Sequence, residues 1–123
     1  MTDNNKTVLL VEDQPMLAMM TQMWLSDLGL TVVVSNDGLM AKRLLESQSF
    51  DYMVTDLVMP NLDGAGLLEW MQEAGLAIPT IVISGINDAQ ELAKIRAYPF
   101  VREVLEKPLT PEQLLDAQVL LNA

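Results

Sequence analysis

The sequence predicts an α/β fold, a five-stranded parallel sheet with helices on both faces, and three observations carry that expectation. Five short runs of aliphatic and β-branched residues are nearly continuous in apolar character, as strands buried on both faces are. Each run ends abruptly in polar or turn-forming residues. The segments between the runs have helical periodicity and are long enough for right-handed crossovers. The chain has 123 residues, half of them hydrophobic, which suits one domain over 1–123 with a core from about 7 to 121.

Thr7-Val8-Leu9-Leu10-Val11 is the first strand, and it runs into two adjacent acids, Glu12-Asp13. Pro15 suits the first turn of a helix reaching about Leu28, where Gly29 supplies the C-terminal cap. Leu17, Met20, Thr21, Trp24 and Leu28 recur at helical spacing and are expected to face the sheet, with Met20 filling a core gap. Met16, Met19 and Met23 form a second stripe beside that face. Thr31-Val32-Val33-Val34-Ser35 is a β-branched second strand. Asn36-Asp37-Gly38 is a turn before a helix to about Ser47, with Ala41, Leu44 and Leu45 inward.

The third strand, Tyr52 to Asp56, carries a single carboxylate to its end. Leu57-Val58-Met59-Pro60 stops it, and Asn61-Leu62-Asp63-Gly64 turns into a third helix that Asp63 can cap and Gly75 ends. Gly66 within that helix costs about 1 kcal/mol relative to alanine. Pro79 introduces the fourth strand, Thr80-Ile81-Val82-Ile83-Ser84. Asn87-Asp88 caps a fourth helix to about Arg96, with Glu91 placed as capping-box partner, and Tyr98-Pro99-Phe100 breaks it. The fifth strand is the short Glu103-Val104-Leu105-Glu106, followed by Lys107-Pro108. Thr110-Pro111-Glu112-Gln113 sets an N-cap, an N1 proline and a capping-box glutamine in register for the last helix. For five such strands the common order is 2-1-3-4-5, a doubly wound, flavodoxin-like sheet whose ligand crevice lies between strands 1 and 3.

Composition narrows the chemistry. Seventeen acids against seven bases give a formal charge of −10, which disfavours direct contact with nucleic acid or anionic membrane. The chain has neither cysteine nor histidine. Disulfides, thiolate catalysis and cysteine zinc sites are thereby excluded, and so is the commonest general base. The N-terminus is polar, without an apolar signal core, and no stretch approaches a membrane span, so a cytoplasmic location is expected.

In the 2-1-3-4-5 order the C-terminal strand ends bring Glu12-Asp13, Asp56, Ser84 and Lys107 to one edge. Singly, each has a plain explanation: the acids could cap a helix, Ser84 could form a turn with Gly85, and Lys107 could be a surface lysine. Together they make a reactive set. Three carboxylates in one crevice repel unless one is protonated or a cation lies among them. Oxygen donors alone select Mg²⁺ or a similar hard ion, which commonly joins carboxylates to phosphate. The Ser84 hydroxyl and the Lys107 ammonium can meet phosphoryl oxygens, and a carboxylate, with Asp56 the best placed, can act as nucleophile.

Val8 to Asp13, the run Asp56-Leu57-Val58-Met59-Pro60-Asn61-Leu62-Asp63-Gly64, Ile81 to Gly85, and Lys107-Pro108-Leu109 together resemble the receiver domain of two-component response regulators, chemotaxis-regulator-like, from Thr7 to Leu121. The resemblance implies that Asp56 is the phosphoacceptor for a phosphoryl group from a partner phosphohistidine on a sensor histidine kinase or histidine phosphotransfer protein. It implies Mg²⁺ (or Mn²⁺) held by Glu12, Asp13, Asp56 and the Val58 carbonyl. Ser84, Gly85, Lys107 and Leu57 would surround the phosphoryl group, the Lys107-Pro108 bond would be cis, and the fourth helix and fifth strand would form the switching surface. Pro15, Met16, Met19 and Met23 would offer the partner a docking face. A homodimer remains open.

The chain also departs from the family pattern. Val104 stands where an aromatic normally partners Ser84 in the switch. The Ser84 to Lys107 spacing is one residue longer than usual, and Tyr98-Pro99-Phe100 replaces the common Gly-Ala. An irregular connection into the fifth strand is expected, with Phe100 or Tyr98 capping the core. Val58 and Ile86 are apolar at positions that influence phosphoryl lifetime, so slow autodephosphorylation is expected. The protein would act as a switch and not as a turnover enzyme. One alternative is an aspartate-nucleophile phosphohydrolase, against which Val58 stands where a second acid would be needed. The other is a pseudo-receiver that binds without phosphorylation. A stand-alone regulator, a relay intermediate and a receiver from a hybrid kinase or larger regulator are equally compatible with the sequence.

Overall fold

A computed structural model of the chain describes residues 6–121; residues 1–5, within the polar N-terminal stretch, and residues 122–123 lie outside the described residues. The elements follow in strict alternation: β1 (Thr7–Val11), α1 (Pro15–Asp27), β2 (Thr31–Ser35), α2 (Gly38–Ser47), β3 (Tyr52–Asp56), α3 (Gly64–Ala74), β4 (Thr80–Ser84), α4 (Ala89–Arg96), β5 (Val101–Glu106) and α5 (Pro111–Leu121). The five strands form one parallel sheet in the order β2-β1-β3-β4-β5. This is the order expected for a doubly wound sheet, and it places the chain reversal between β1 and β3.

Alternation along the central strands divides the core. Leu9, Val11, Met53 and Val82 meet residues of α2, α3 and α4, among them Ala41, Leu45, Leu67, Met71 and Ile95. Val8, Leu10, Val54, Ile81 and Ile83 turn to the other face and meet Leu25 of α1 with Leu114 and Ala117 of α5. Both faces of β1, β3 and β4 are therefore covered, which is why these strands read as unbroken apolar runs.

Local signals set the helix ends. Asp63 accepts from the Gly66 N–H at 2.8 Å and Asp88 accepts from Gln90 and Glu91. At α5 the capping box closes in both directions, Gln113 N–H to Thr110 Oγ1 at 3.3 Å and Thr110 N–H to Gln113 Oε1 at 2.9 Å. Asp37, read from the sequence only as part of a turn, also caps α2 by accepting from the Met40 N–H at 2.7 Å.

Two expectations need correction. Thr21 is buried as expected and Trp24 and Leu28 pack partly covered against the core, but the other buried residues of α1 are Ala18 and Leu25, which were not expected, and Leu17 is only partly covered. Met20 is no core filler: it is 39% exposed and joins Met16, Met19 and Met23 on the surface. The helix carries large apolar residues on more than one side, so their spacing leaves its orientation ambiguous, and Leu25 is the residue that joins it to the core on the sheet. Second, β5 begins at Val101, two residues ahead of the expected Glu103. Its start is secured by the Thr80 N–H bonding to the Phe100 carbonyl at 2.9 Å. Thr80 pairs with Val101 but Ile81 pairs with Glu103, so Arg102 is the extra residue of a β-bulge. The irregularity thus lies within β5 itself, one residue past its start, and not in the connection from α4 where it was expected. Phe100, only 4% exposed, closes the core beneath it, with the Tyr98 ring 5.5 Å away.

Candidate functional site

Register decides which side chains meet. Val11 pairs with Thr55, so the next residues, Glu12 and Asp56, leave β1 and β3 side by side. Asp56 itself pairs with Ile83, one residue before Ser84. The Lys107 N–H donates to the Ser84 carbonyl at 2.9 Å and ties the ends of β4 and β5 together.

Asp56 is 4% exposed, and both of its carboxylate oxygens are engaged. Oδ2 receives the Lys107 ammonium at 2.7 Å. Oδ1 accepts the Leu57 N–H at 2.7 Å and the Val58 N–H at 3.3 Å. One carboxylate oxygen from each of Glu12, Asp13 and Asp56 lies within 4.8 Å of the others. Glu12 is buried, its Oε2 accepts from the Gln14 N–H at 3.2 Å, and Asp13 is half-exposed beside it. Gly64 is required next to this site: a Cβ there would stand 2.3 Å from the Asp56 carbonyl oxygen. Its N–H closes the loop by donating to the Leu57 carbonyl at 2.8 Å.

The electrostatics follow from this packing. Burial pushes the Glu12 carboxyl up, and the charges of Asp56 and Asp13 push it further; the Gln14 N–H and Lys107 oppose them without reversing the shift. Burial alone would lower the Lys107 ammonium, but the hydrogen bond to Asp56 and the charges of Asp56, Glu12 and Asp13 outweigh it and push it up. Lys107 therefore stays cationic at neutral pH. An all-oxygen donor set, clustered and negatively charged, fits Mg²⁺ or Mn²⁺.

A family model described as the response regulator receiver domain matches residues 8–118. The chain belongs to that family. The receiver is 36% identical over 104 residues to the regulator of RpoS of Escherichia coli K12, covering 85% of this chain and 31% of that protein. It is 34% identical over 121 residues to the C4-dicarboxylate transport transcriptional regulatory protein DctD of Pseudomonas aeruginosa, covering 94% of this chain and 25% of that one. The receiver thus spans about a third or less of these relatives. A solved response regulator receiver protein from Pseudomonas putida superposes with a TM-score of 0.86 at 26% identity, covering 98% of each chain.

The other residues singled out in the sequence take separate places. The Lys107-Pro108 bond of the receiver is cis, as the resemblance implies. Ser84 is buried, and its Oγ accepts from the Ile86 N–H at 2.9 Å. Exposed Gly85 lies beside the Lys107 stem, 3.9 Å from where its Cβ would be. The Val58 side chain is 66% exposed over the site. Val104 and Ser84 share the wall of a cavity of about 200 Å³ with Ile86, Leu92 and Arg96. Met16, Met19 and Met23 are 73%, 61% and 59% exposed. Beside them, Leu17, Met20 and Trp24 line an apolar cavity of about 390 Å³ that reaches Glu12, Lys107 and Pro108. Sequence reasoning did not find this cavity, because it needs α1 and the Lys107-Pro108 turn to face one another. Among the described residues no helix is long and apolar enough to cross a membrane.

Proposed function

We propose that this receiver accepts a phosphoryl group on Asp56 in a reaction dependent on Mg²⁺ or Mn²⁺. One observation supports this above the rest: Asp56 lies between the Lys107 ammonium and the Leu57 and Val58 N–H groups, with the Glu12 and Asp13 carboxylates adjoining. An Asp56 oxygen attacks phosphorus as the P–N bond of a phosphohistidine breaks, and the departing imidazole keeps the electron pair. Lys107, released from Asp56, follows the charge onto a phosphoryl oxygen. The Leu57 and Val58 N–H groups hold the carboxylate in line, and Ser84 exchanges its Ile86 contact for the phosphoryl group. Glu12, Asp13, Asp56 and the Val58 carbonyl would hold the metal ion, which supplies neutralising charge for the phosphoryl oxygens.

The donor is a sensor histidine kinase or histidine phosphotransfer protein docking on the exposed Pro15, Met16, Met19 and Met23, an adaptable thioether surface beside the site. The cytoplasm is the compartment in which a histidine-kinase donor would meet the domain. Movement of Ser84 is relayed to α4 and β5 through the cavity it shares with Val104. Apolar Val58 and Ile86 offer no hydrogen bond to an attacking water, so the phosphoryl group is lost slowly and the domain works as a switch.

Incubation with acetyl phosphate and Mg²⁺ tests the reading by intact mass. The native protein gains one phosphoryl mass and Asp56→Asn gains none. Addition at the native level in Asp56→Asn overturns it.

A further inference from the structure

The loop that carries Leu57 and Val58 is fastened at its far end to a different part of the molecule. Asn61 Nδ2 donates to Asp37 Oδ2 at 2.6 Å across a separation of 24 residues. The other oxygen of Asp37 caps α2 through the Met40 N–H, so the carboxylate is already held when Asn61 reaches it. Next to it the two backbones interlock: a Cβ on Gly38 would fall 1.9 Å from the Leu62 carbonyl oxygen, a gap that glycine alone permits. Asn61 itself takes φ 68°, the left-handed region that asparagine tolerates better than most residues. The Leu62 N–H turns back to the Pro60 carbonyl at 2.9 Å. Between this anchor and β3 lie only Leu57, Val58, Met59 and Pro60, and Met59 is buried in the core.

The bond does not close the α2 cap, because Asp37 Oδ1 does that, and it does not shape α3, which Asp63 caps. What it constrains is the position of the Leu57–Asp63 segment relative to the acidic cluster. We infer that the Asp37–Asn61 clasp is a positioning device: it fixes the loop bearing Val58 so that Glu12, Asp13 and Asp56 meet the Val58 backbone in the arrangement a divalent cation needs. Neither residue touches the reacting atoms. The inference rests on the reading of the cluster as a cation site, and the experiment separates the two.

Mg²⁺ binding to the unphosphorylated protein is measured by calorimetry, with the Mg²⁺ dependence of acetyl phosphate labelling followed in parallel. Asn61→Gly keeps the left-handed backbone and removes the clasp. It is expected to weaken Mg²⁺ binding roughly tenfold, the lower end of the loss seen when an outer contact of a metal site is removed. The labelling rate at saturating Mg²⁺ should stay within about twofold of native, since Asp56 and Lys107 are untouched. Asp37→Asn should bind Mg²⁺ like the native protein, because its remaining oxygen caps α2 and a flipped Asn61 amide restores the bond. The exchange Asp37→Asn with Asn61→Asp reverses donor and acceptor and should recover native affinity. Native Mg²⁺ affinity in Asn61→Gly, or no recovery in the exchanged pair, overturns the clasp. Asp13→Asn is the separate control: Mg²⁺ affinity unchanged in that variant refutes the cation site itself, whatever Asn61→Gly does.

Discussion

Glu12 carries the cost of assembling the site. Its carboxyl is buried against like charges, with one backbone N–H and the Lys107 ammonium in partial compensation. The folded protein therefore holds the Glu12 proton more tightly than the unfolded chain does, where the usual value is 4.5. Below that value Glu12 contributes fully to stability, and the contribution is lost as pH rises through the raised folded value. At neutral pH without divalent ions the charged Glu12 thus opposes folding. Glu12→Gln keeps an oxygen for the Gln14 N–H and removes the charge. Its Tm in metal-free buffer at pH 7 should exceed native by about 3 °C, and the gap should close as the pH falls toward about 4. Thermal melts followed by circular dichroism across that range check both parts; a lower Tm at pH 7 would mean that Lys107 outweighs the neighbouring acids.

Among the elements, β5 departs furthest from expectation. The Arg102 bulge admits an additional residue while Val104, Leu105 and Glu106 keep their pairing with Val82, Ile83 and Ser84. Val104 therefore lies opposite Val82, and its small side chain borders the 200 Å³ cavity beside Ser84. A ring placed there finds room and covers Ile86 and Leu92. Val104→Phe should raise Tm by about 2 °C through added apolar burial; a fall of that size would show that Arg96 and Glu106 close the space against a larger side chain. Elements of this kind also mark how far the sequence could be read. The strands, the Asp63 and Asp88 caps and the Thr110–Gln113 box were legible because each depends on neighbouring residues. The face of α1 was legible in part: Thr21, Trp24 and Leu28 lie toward the core as their spacing implies, while Met20 gives a misleading signal. The Asp37–Asn61 contact was invisible because each residue makes a satisfactory turn alone, and only the β2-β1-β3 order brings the turns together. The convergence of Glu12, Asp13, Asp56 and Lys107 was legible because a doubly wound sheet delivers its strand ends to one edge.

At the scale of the molecule, any ion that occupied the acidic cluster would be coupled to folding. Two apolar cores hold β1 and β3 in register, and that register forces Glu12 and Asp13 against Asp56. In the unfolded chain Asp56 is far from the adjacent pair Glu12-Asp13, and the three have no reason to bind an ion together. A cation that binds the native cluster must therefore stabilise the fold by mass action, about 1.4 kcal/mol when present at ten times its dissociation constant. The net charge of −10 adds a separate, unspecific effect, because any salt screens the mutual repulsion of the surface acids. The two are separable. At equal ionic strength MgCl₂ should raise Tm above the KCl value by about 4 °C, and Asp13→Asn should abolish the excess while retaining the response to KCl. Equal melting temperatures in the two salts would leave screening as the whole effect, and the cluster would then be a set of strained acids with no ion to relieve them.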